Sequence, residues 1–235
     1  PPTGPTPAST TSGVALAETA DRSPRLRWAY CGLLLLFVVE YLGLSSDLPI
    51  LKAVRFPTLL AFGLVLLAFT ADGFRIVADR RIRFLAAFTV FTAASVMWAI
   101  VGERAFAAIR PLVDYLVLAI AVAAAVDRPS RVTGTAATFA VIVFGLVGRN
   151  LEKLVEGSRT GAFTAGYFLG DGNDFAWGLN VLGPLALILI AGGRHLAVRF
   201  VGLAAFAVAA LGVVWTQSRG GTLGLVATLL WGWWF

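Results

Sequence analysis

The sequence predicts an all-α fold, a polytopic bundle of about eight transmembrane helices, and three observations carry that expectation. The first is composition. Of the 235 residues, 58% are hydrophobic and only 14% are charged, where soluble domains carry roughly 25% charged residues. The second is repetition: apolar runs of roughly 17–20 residues, each long enough to cross a bilayer as a helix, recur along the chain. The third is the placing of charge, which gathers in short stretches between those runs. A chain built this way cannot bury its apolar surface inside one soluble core.

The net charge of +6 is spread over short loops beside apolar runs. That pattern belongs to topology signals and lipid-headgroup contact, not to nucleic-acid binding. Membrane lipids are therefore expected partners and nucleic acid is not. Cys31 is the only cysteine, so no intrachain disulfide forms.

Residues 1–24 are rich in Pro, Thr, Ser, Ala and Gly without apolar period and read as a disordered tail. Residues 25–235 read as the transmembrane helical domain. Its first span covers residues 28–44, behind Arg22, Arg25 and Arg27. That apolar core is long for a signal peptide and is taken as a retained span. The second covers residues 56–71 and leads into a loop holding Arg75, Arg80, Arg81 and Arg83. The third covers residues 84–101 and the fourth 111–126. Between them residues 102–110 form an amphipathic piece suited to the membrane interface. Asp114 follows Arg110 by four residues, a spacing that lets them pair on one helix face. The fifth span follows the turn at residues 127–131 and ends near Gly148.

The longest internal loop is expected over residues 149–173. A sixth span covers residues 174–193, with Pro184 inside it, and a turn with Arg194, His195 and Arg199 follows. The seventh ends near Trp215, and an eighth starts after Arg219. The chain begins with Pro1 and stops at Trp233-Trp234-Phe235 inside an apolar run, which reads as truncation at the C-terminal end. No internal repeat is visible. Eleven of the 19 Lys and Arg residues fall on the side of the tail, in the shorter loops. The positive-inside rule then puts the N-terminus in the cytoplasm and residues 159, 171 and 219 outside.

Function is sought where polar groups crowd against hydrocarbon, because they are costly there unless they act. Thr216-Gln217-Ser218-Arg219-Gly220-Gly221 opens the eighth span with its N-terminus outward. Unpaired N–H groups and a partial positive charge collect at such an end. Gly220 and Gly221 admit close approach to the backbone, and Arg219 supplies a planar fork of donors for phosphate oxygens. A diphosphate suits this set. An Arg snorkelling to headgroups, with glycines for helix packing, suits it as well. Asp171-Gly172-Asn173-Asp174 opens the sixth span, where Asn173 or Asp174 is a natural N-cap. Asp171 and Asp174 are few ligands for a hard cation, so no metal is expected. A carboxylate orienting Arg159 or Arg219 is preferred. Arg159, beside Gly161 in the long loop, is a second anion candidate.

In Arg159-Thr160-Gly161-Ala162-Phe163, Asp171-Gly172-Asn173-Asp174-Phe175-Ala176, Pro184-Leu185-Ala186 and Thr216-Gln217-Ser218-Arg219-Gly220, the chain resembles the O-antigen ligase and O-antigen polymerase superfamily. It departs in carrying Gly172 where Pro is common and in the inserted Tyr167-Phe168-Leu169. Neither change removes a charged group. The resemblance covers residue 149 onward; the five upstream spans agree only in number and hydrophobicity.

The resemblance implies a GT-C-like membrane glycosyltransferase. Its donor would be a glycan on undecaprenyl diphosphate at the outer face of the bacterial inner membrane. Its acceptor would be a lipid or another lipid-linked glycan, as in O-antigen or other surface polysaccharide assembly. Arg219 would be the catalytic Arg that holds the diphosphate. Arg159, Gly161, Asp171, Asn173, Asp174, Gln217, Ser218 and Gly220 would contact substrate. No sugar-nucleotide or P-loop motif is present, and no cofactor is expected. The competing reading is a transporter or channel for an anionic solute. Such proteins show repeats and broken helices near the midplane, whereas the polar groups here sit at span ends.

Overall fold

A computed structural model of the chain describes residues 24–156, 163, 171–193 and 195–234. The tail at residues 1–23 lies outside them. Every regular element among the described residues is helical. In order they are α1 (Pro24–Tyr41), α2 (Leu44–Asp47), α3 (Pro49–Ala53), α4 (Phe56–Ala78), α5 (Arg80–Ser95), α6 (Gly102–Ala125), α7 (Pro129–Arg149), α8 (Leu151–Val155), α9 (Gly172–Ala186), α10 (Ile188–Gly192), α11 (Leu196–Trp215) and α12 (Arg219–Trp234). Among the described residues five spans are long and apolar enough to cross a membrane: Arg80–Trp98, Gly102–Ala125, Pro129–Arg149, Gly172–Gly192 and Leu196–Trp215. The chain is thus an all-α protein with the helices of a membrane protein. Beside these five, α1 has 18 residues and includes Arg25, Arg27 and Glu40, while α12 has 16.

Several boundaries differ from the sequence reading, each for a local reason. The basic stretch after the second span is helix rather than loop. α4 continues through Arg75 to Ala78, and Asp79 alone separates it from α5. Asp79 is extended (φ −61°, ψ 125°) and its carboxylate accepts from the Arg81 N–H, so a single N-cap turns the chain without a loop. Residues 102–110 are likewise no separate interfacial piece. They are the opening turns of α6, which runs straight through Pro111. The Arg110 side chain lies outside the described residues. The sixth span is in two pieces, α9 and α10, parted at Leu187, whose N–H bonds the Pro184 carbonyl three residues back at 3.0 Å in a tighter turn.

The helices pack in two groups. α1, α4, α5 and α6 form one, and α7, α9, α10, α11 and α12 form the other, with α1 also lying against α7. The main core runs along that seam and into the second group: Leu33 and Phe37 from α1, Phe139, Ile142 and Leu146 from α7, Phe175 and Leu179 from α9, Val213 from α11. Phe37 and Phe139 have ring centroids 4.9 Å apart. At one end of the seam the Tyr30 hydroxyl donates to the Arg131 carbonyl (2.9 Å). The Arg131 guanidinium lies over the Tyr30 ring, donates to the last carbonyl of α6 at Ala125, and pairs with Asp127 at 3.0 Å. At the opposite end Arg149 pairs with Asp47. These contacts close α1 and α6 onto α7 and leave the far side of the second group to carry the polar motifs.

Candidate functional site

The two polar motifs meet at one end of the bundle. α11 and α9 are neighbours, and α12 returns alongside both. The chain leaves α11 at Trp215 and reverses through Thr216, Gln217 and Ser218. Thr216 donates its hydroxyl back to the Val213 carbonyl (2.7 Å) and accepts from the Ser218 N–H (3.3 Å). Gln217 takes a left-handed backbone, φ 54°, which non-glycine residues seldom adopt. This tight reversal puts Ser218 at the head of α12 as its cap. The Ser218 hydroxyl oxygen accepts from the Gly221 N–H (3.0 Å), and the Ser218 carbonyl accepts from Thr222 N–H (2.9 Å).

Having accepted from Gly221, the Ser218 hydroxyl donates its own proton across to α9, to Asn173 Oδ1 at 2.7 Å. That bond joins the first turns of two helices. It also fixes the Asn173 amide: with Oδ1 toward Ser218, the planar group turns its NH₂ donors away from it.

The N-cap of α9 is Asp171, not Asn173 or Asp174. Asp171 is extended (φ −114°, ψ 171°) and its Oδ1 accepts from the Asn173 and Asp174 N–H groups at 2.8 Å each. The cap falls there because Gly172 and Asn173 already hold helical backbone. The preference for a carboxylate that orients Arg219 also fails: among the described residues no ion pair joins Arg219 to Asp171 or Asp174. Both acids are exposed, as is Arg219.

The two neighbouring helix ends are therefore chemically unlike. The start of α9 is closed by an anionic cap with a second carboxylate beside it. The start of α12 has a neutral cap, and its exposed first turn carries the guanidinium of Arg219. A cation and a cluster of donors stand on one side, carboxylate acceptors on the other.

The glycines divide. A Cβ on Gly220 would meet nothing within 4 Å, so the backbone there is open. A Cβ on Gly221 would come to 2.5 Å from that of Ala176. Gly221 is accounted for by close packing of α12 on α9, so ligand approach rests on Gly220 alone. Gln217 is exposed at the crest of the turn. Arg159 and Gly161 lie outside the described residues. Phe163 from the same segment is buried, its ring stacked on Phe175 with centroids 4.5 Å apart, directly beneath the cap of α9. Among the described residues no group of three or more His, Cys, Asp or Glu is placed to hold a metal ion.

Sequence reasoning missed Asn180. Its Nδ2 donates to the Gly221 carbonyl at 2.8 Å, two turns below the Asn173–Ser218 bond on the same face of α9. The signal was present: an amide inside an apolar span is costly and finds a reason to be there. His195, at the head of α11, is separated from this end by the full 20 residues of that helix. No family model, curated protein or solved structure matches the chain.

Proposed function

We propose that this chain works in a membrane glycosyltransferase that takes a glycan from undecaprenyl diphosphate at the outer face of the bacterial inner membrane. It delivers that glycan to a lipid or glycan acceptor in surface polysaccharide assembly. On this reading the bundle has eight spans in a GT-C-like arrangement, with its N-terminus in the cytoplasm. The observation that supports it best is the Ser218–Asn173 hydrogen bond, which holds the starts of α12 and α9 side by side with Arg219 exposed at their junction.

Transfer breaks the bond between the sugar anomeric carbon and the diphosphate oxygen. The electron pair leaves with the diphosphate, while the acceptor hydroxyl forms the new C–O bond and gives up its proton. Charge thus develops on the departing oxygen, and stabilising it matters more than supplying a covalent nucleophile. Arg219 and the open backbone at Gly220 suit the diphosphate. Asn173 NH₂ and the carboxylates of Asp171 and Asp174 suit sugar hydroxyls.

The test is Arg219→Lys against Arg219→Ala in membranes supplied with a lipid-linked glycan, normalised to protein level. A clamp on diphosphate needs the bidentate fork, so Lys fails almost as badly as Ala. Loss of one such donor slows transfer by roughly 10²–10³-fold. Near-normal transfer by the Lys variant removes Arg219 from the site. Uptake of an anionic solute without any transfer would favour the channel reading. Orientation is checked separately, in a Cys31→Ser background. A membrane-impermeant thiol reagent added outside should label a cysteine at 219 and spare those at 81 and 195. The reverse pattern sinks the outer-face mechanism.

A further inference from the structure

The amide of Asn180 carries an imbalance that simple packing does not explain. Its Nδ2 reaches across to the Gly221 carbonyl at 2.8 Å, but its Oδ1 is buried and has no hydrogen-bond partner among the described residues. An unsatisfied buried acceptor is a standing cost, and Leu, of similar volume, would fill the same place without it. The surroundings are cut to fit the amide. A Cβ added at Gly224 would stand 2.9 Å from Asn180 Nδ2, and one at Gly221 would stand 2.5 Å from Ala176. α12 thus presents bare backbone to α9 over its opening turns. The carbonyl that Asn180 grips belongs to the residue whose N–H is already held by Ser218. Gly221 is pinned from both sides, two residues from Arg219.

We propose that Asn180 is a positioning residue of the candidate site: through the Gly221 carbonyl it fixes the rotation of the first turn of α12, and so the direction in which Arg219 projects. This rests on the reading of Arg219 as the diphosphate ligand. The mechanical part stands without it. Ser218–Asn173 holds the tip of the helix, and Asn180–Gly221 sets a second point two turns deeper on α9. Both contacts lie off the axis of α12 and run to different turns of α9, so together they resist turning of the first turn of α12 more than either does alone.

The experiment reads mechanics and activity independently. A nitroxide is attached at Gly220→Cys in a Cys31→Ser background, where a side chain meets nothing within 4 Å. The label is compared with Asn180 intact, with Asn180→Leu, and with Gly224→Ala, which displaces the amide without removing it. A second label on the exposed face of α7, at Ala137→Cys, is the reference. Both variants should raise mobility at 220, Asn180→Leu about twofold or more and Gly224→Ala less, with the α7 label unchanged. In the unlabelled protein, transfer from lipid-linked glycan per folded molecule should fall about tenfold in Asn180→Leu, since a displacement near 1 Å costs up to about 10²-fold. Protein level and thermal midpoint should hold. Unchanged mobility at 220 in both variants overturns the proposal. So does a fall in transfer that merely follows a fall in protein level. Loosening at 220 in a protein whose unsubstituted form transfers no glycan would sustain the positioning role and refute the glycosyltransferase reading.

Discussion

Both helix groups are apolar in sequence, but they bury that apolar surface to different extents. Over an apolar 18-residue stretch of each span, only 6% of residues in Gly102–Ala125 and 11% in Arg80–Trp98 are buried in the first group, against 44% in Gly172–Gly192 and 39% in Pro129–Arg149 in the second. Phe84, Phe88, Phe91 and Phe106 point outward from α5 and α6, whereas Phe139 and Phe175 lie inside. An outward set of this kind suits lipid, which is as apolar as a protein core, and there it would gain little from further burial. One difference lies in how many small residues each group places at its helix contacts. Gly183, Gly202, Gly212 and Gly221 each sit where a Cβ would fall within 3.0 Å of a neighbouring helix. In the first group Gly32 comes that close, to a methyl of Leu64 on α4, while Gly63 and Gly102 face open space. Close helix approach in a bilayer depends on such residues because no hydrophobic drive separates helix from lipid. The candidate site stands on the group that has more of them, and a rigid support is what a site requiring fixed donors needs.

That contrast can be broken most sharply at phenylalanine. Phe175→Ala removes a fully buried ring stacked on Phe163 and should cost about 3–5 kcal/mol. Phe84→Ala, at a position 77% exposed, should cost less than about 0.5 kcal/mol. Reversible unfolding in mixed micelles measures both, and equal losses would erase the distinction between the groups.

A smaller effect is expected at Gly202. Its added methyl would lie 2.7 Å from the Ala186 backbone carbonyl and 2.9 Å from Leu189 Cβ, and backbone does not yield cheaply. Gly202→Ala should destabilise by about 1–3 kcal/mol, seen as a lower denaturation midpoint. A neutral outcome would mean that α11 can slide on α9 and that the close crossing is not specified. The smallest effect has the opposite sign. Gly63→Ala, in the middle of α4 with nothing to meet, should stabilise by about 0.5–1 kcal/mol through reduced chain entropy, read in the same assay. Destabilisation there would reveal a hidden partner for α4.

What the sequence alone determined is what local chemistry controls. The end of α7 at Arg149, the end of α11 at Trp215 and the start of α12 at Arg219 were legible, because hydropathy changes abruptly there and Ser218 is a strong cap. Charge misled where helix tolerates it. Arg75 falls within α4, and Glu103 and Arg104, both exposed, lie in the first turn of α6, so charge by itself does not stop the ladder. The cap of α9 was misassigned by two or three residues because Asp171, Asn173 and Asp174 are all competent caps, and only the backbone angles chose. Tertiary structure alone decided what the polar residues touch. Ser218 and Asn173 are 45 positions apart and Asn180 and Gly221 are 41 apart. No periodicity connects them, because which residues face each other depends on where α12 crosses α9. Gly221, Gly224 and Ala176 set that crossing by leaving room for it, and their smallness acquires meaning only when the partner helix is in place.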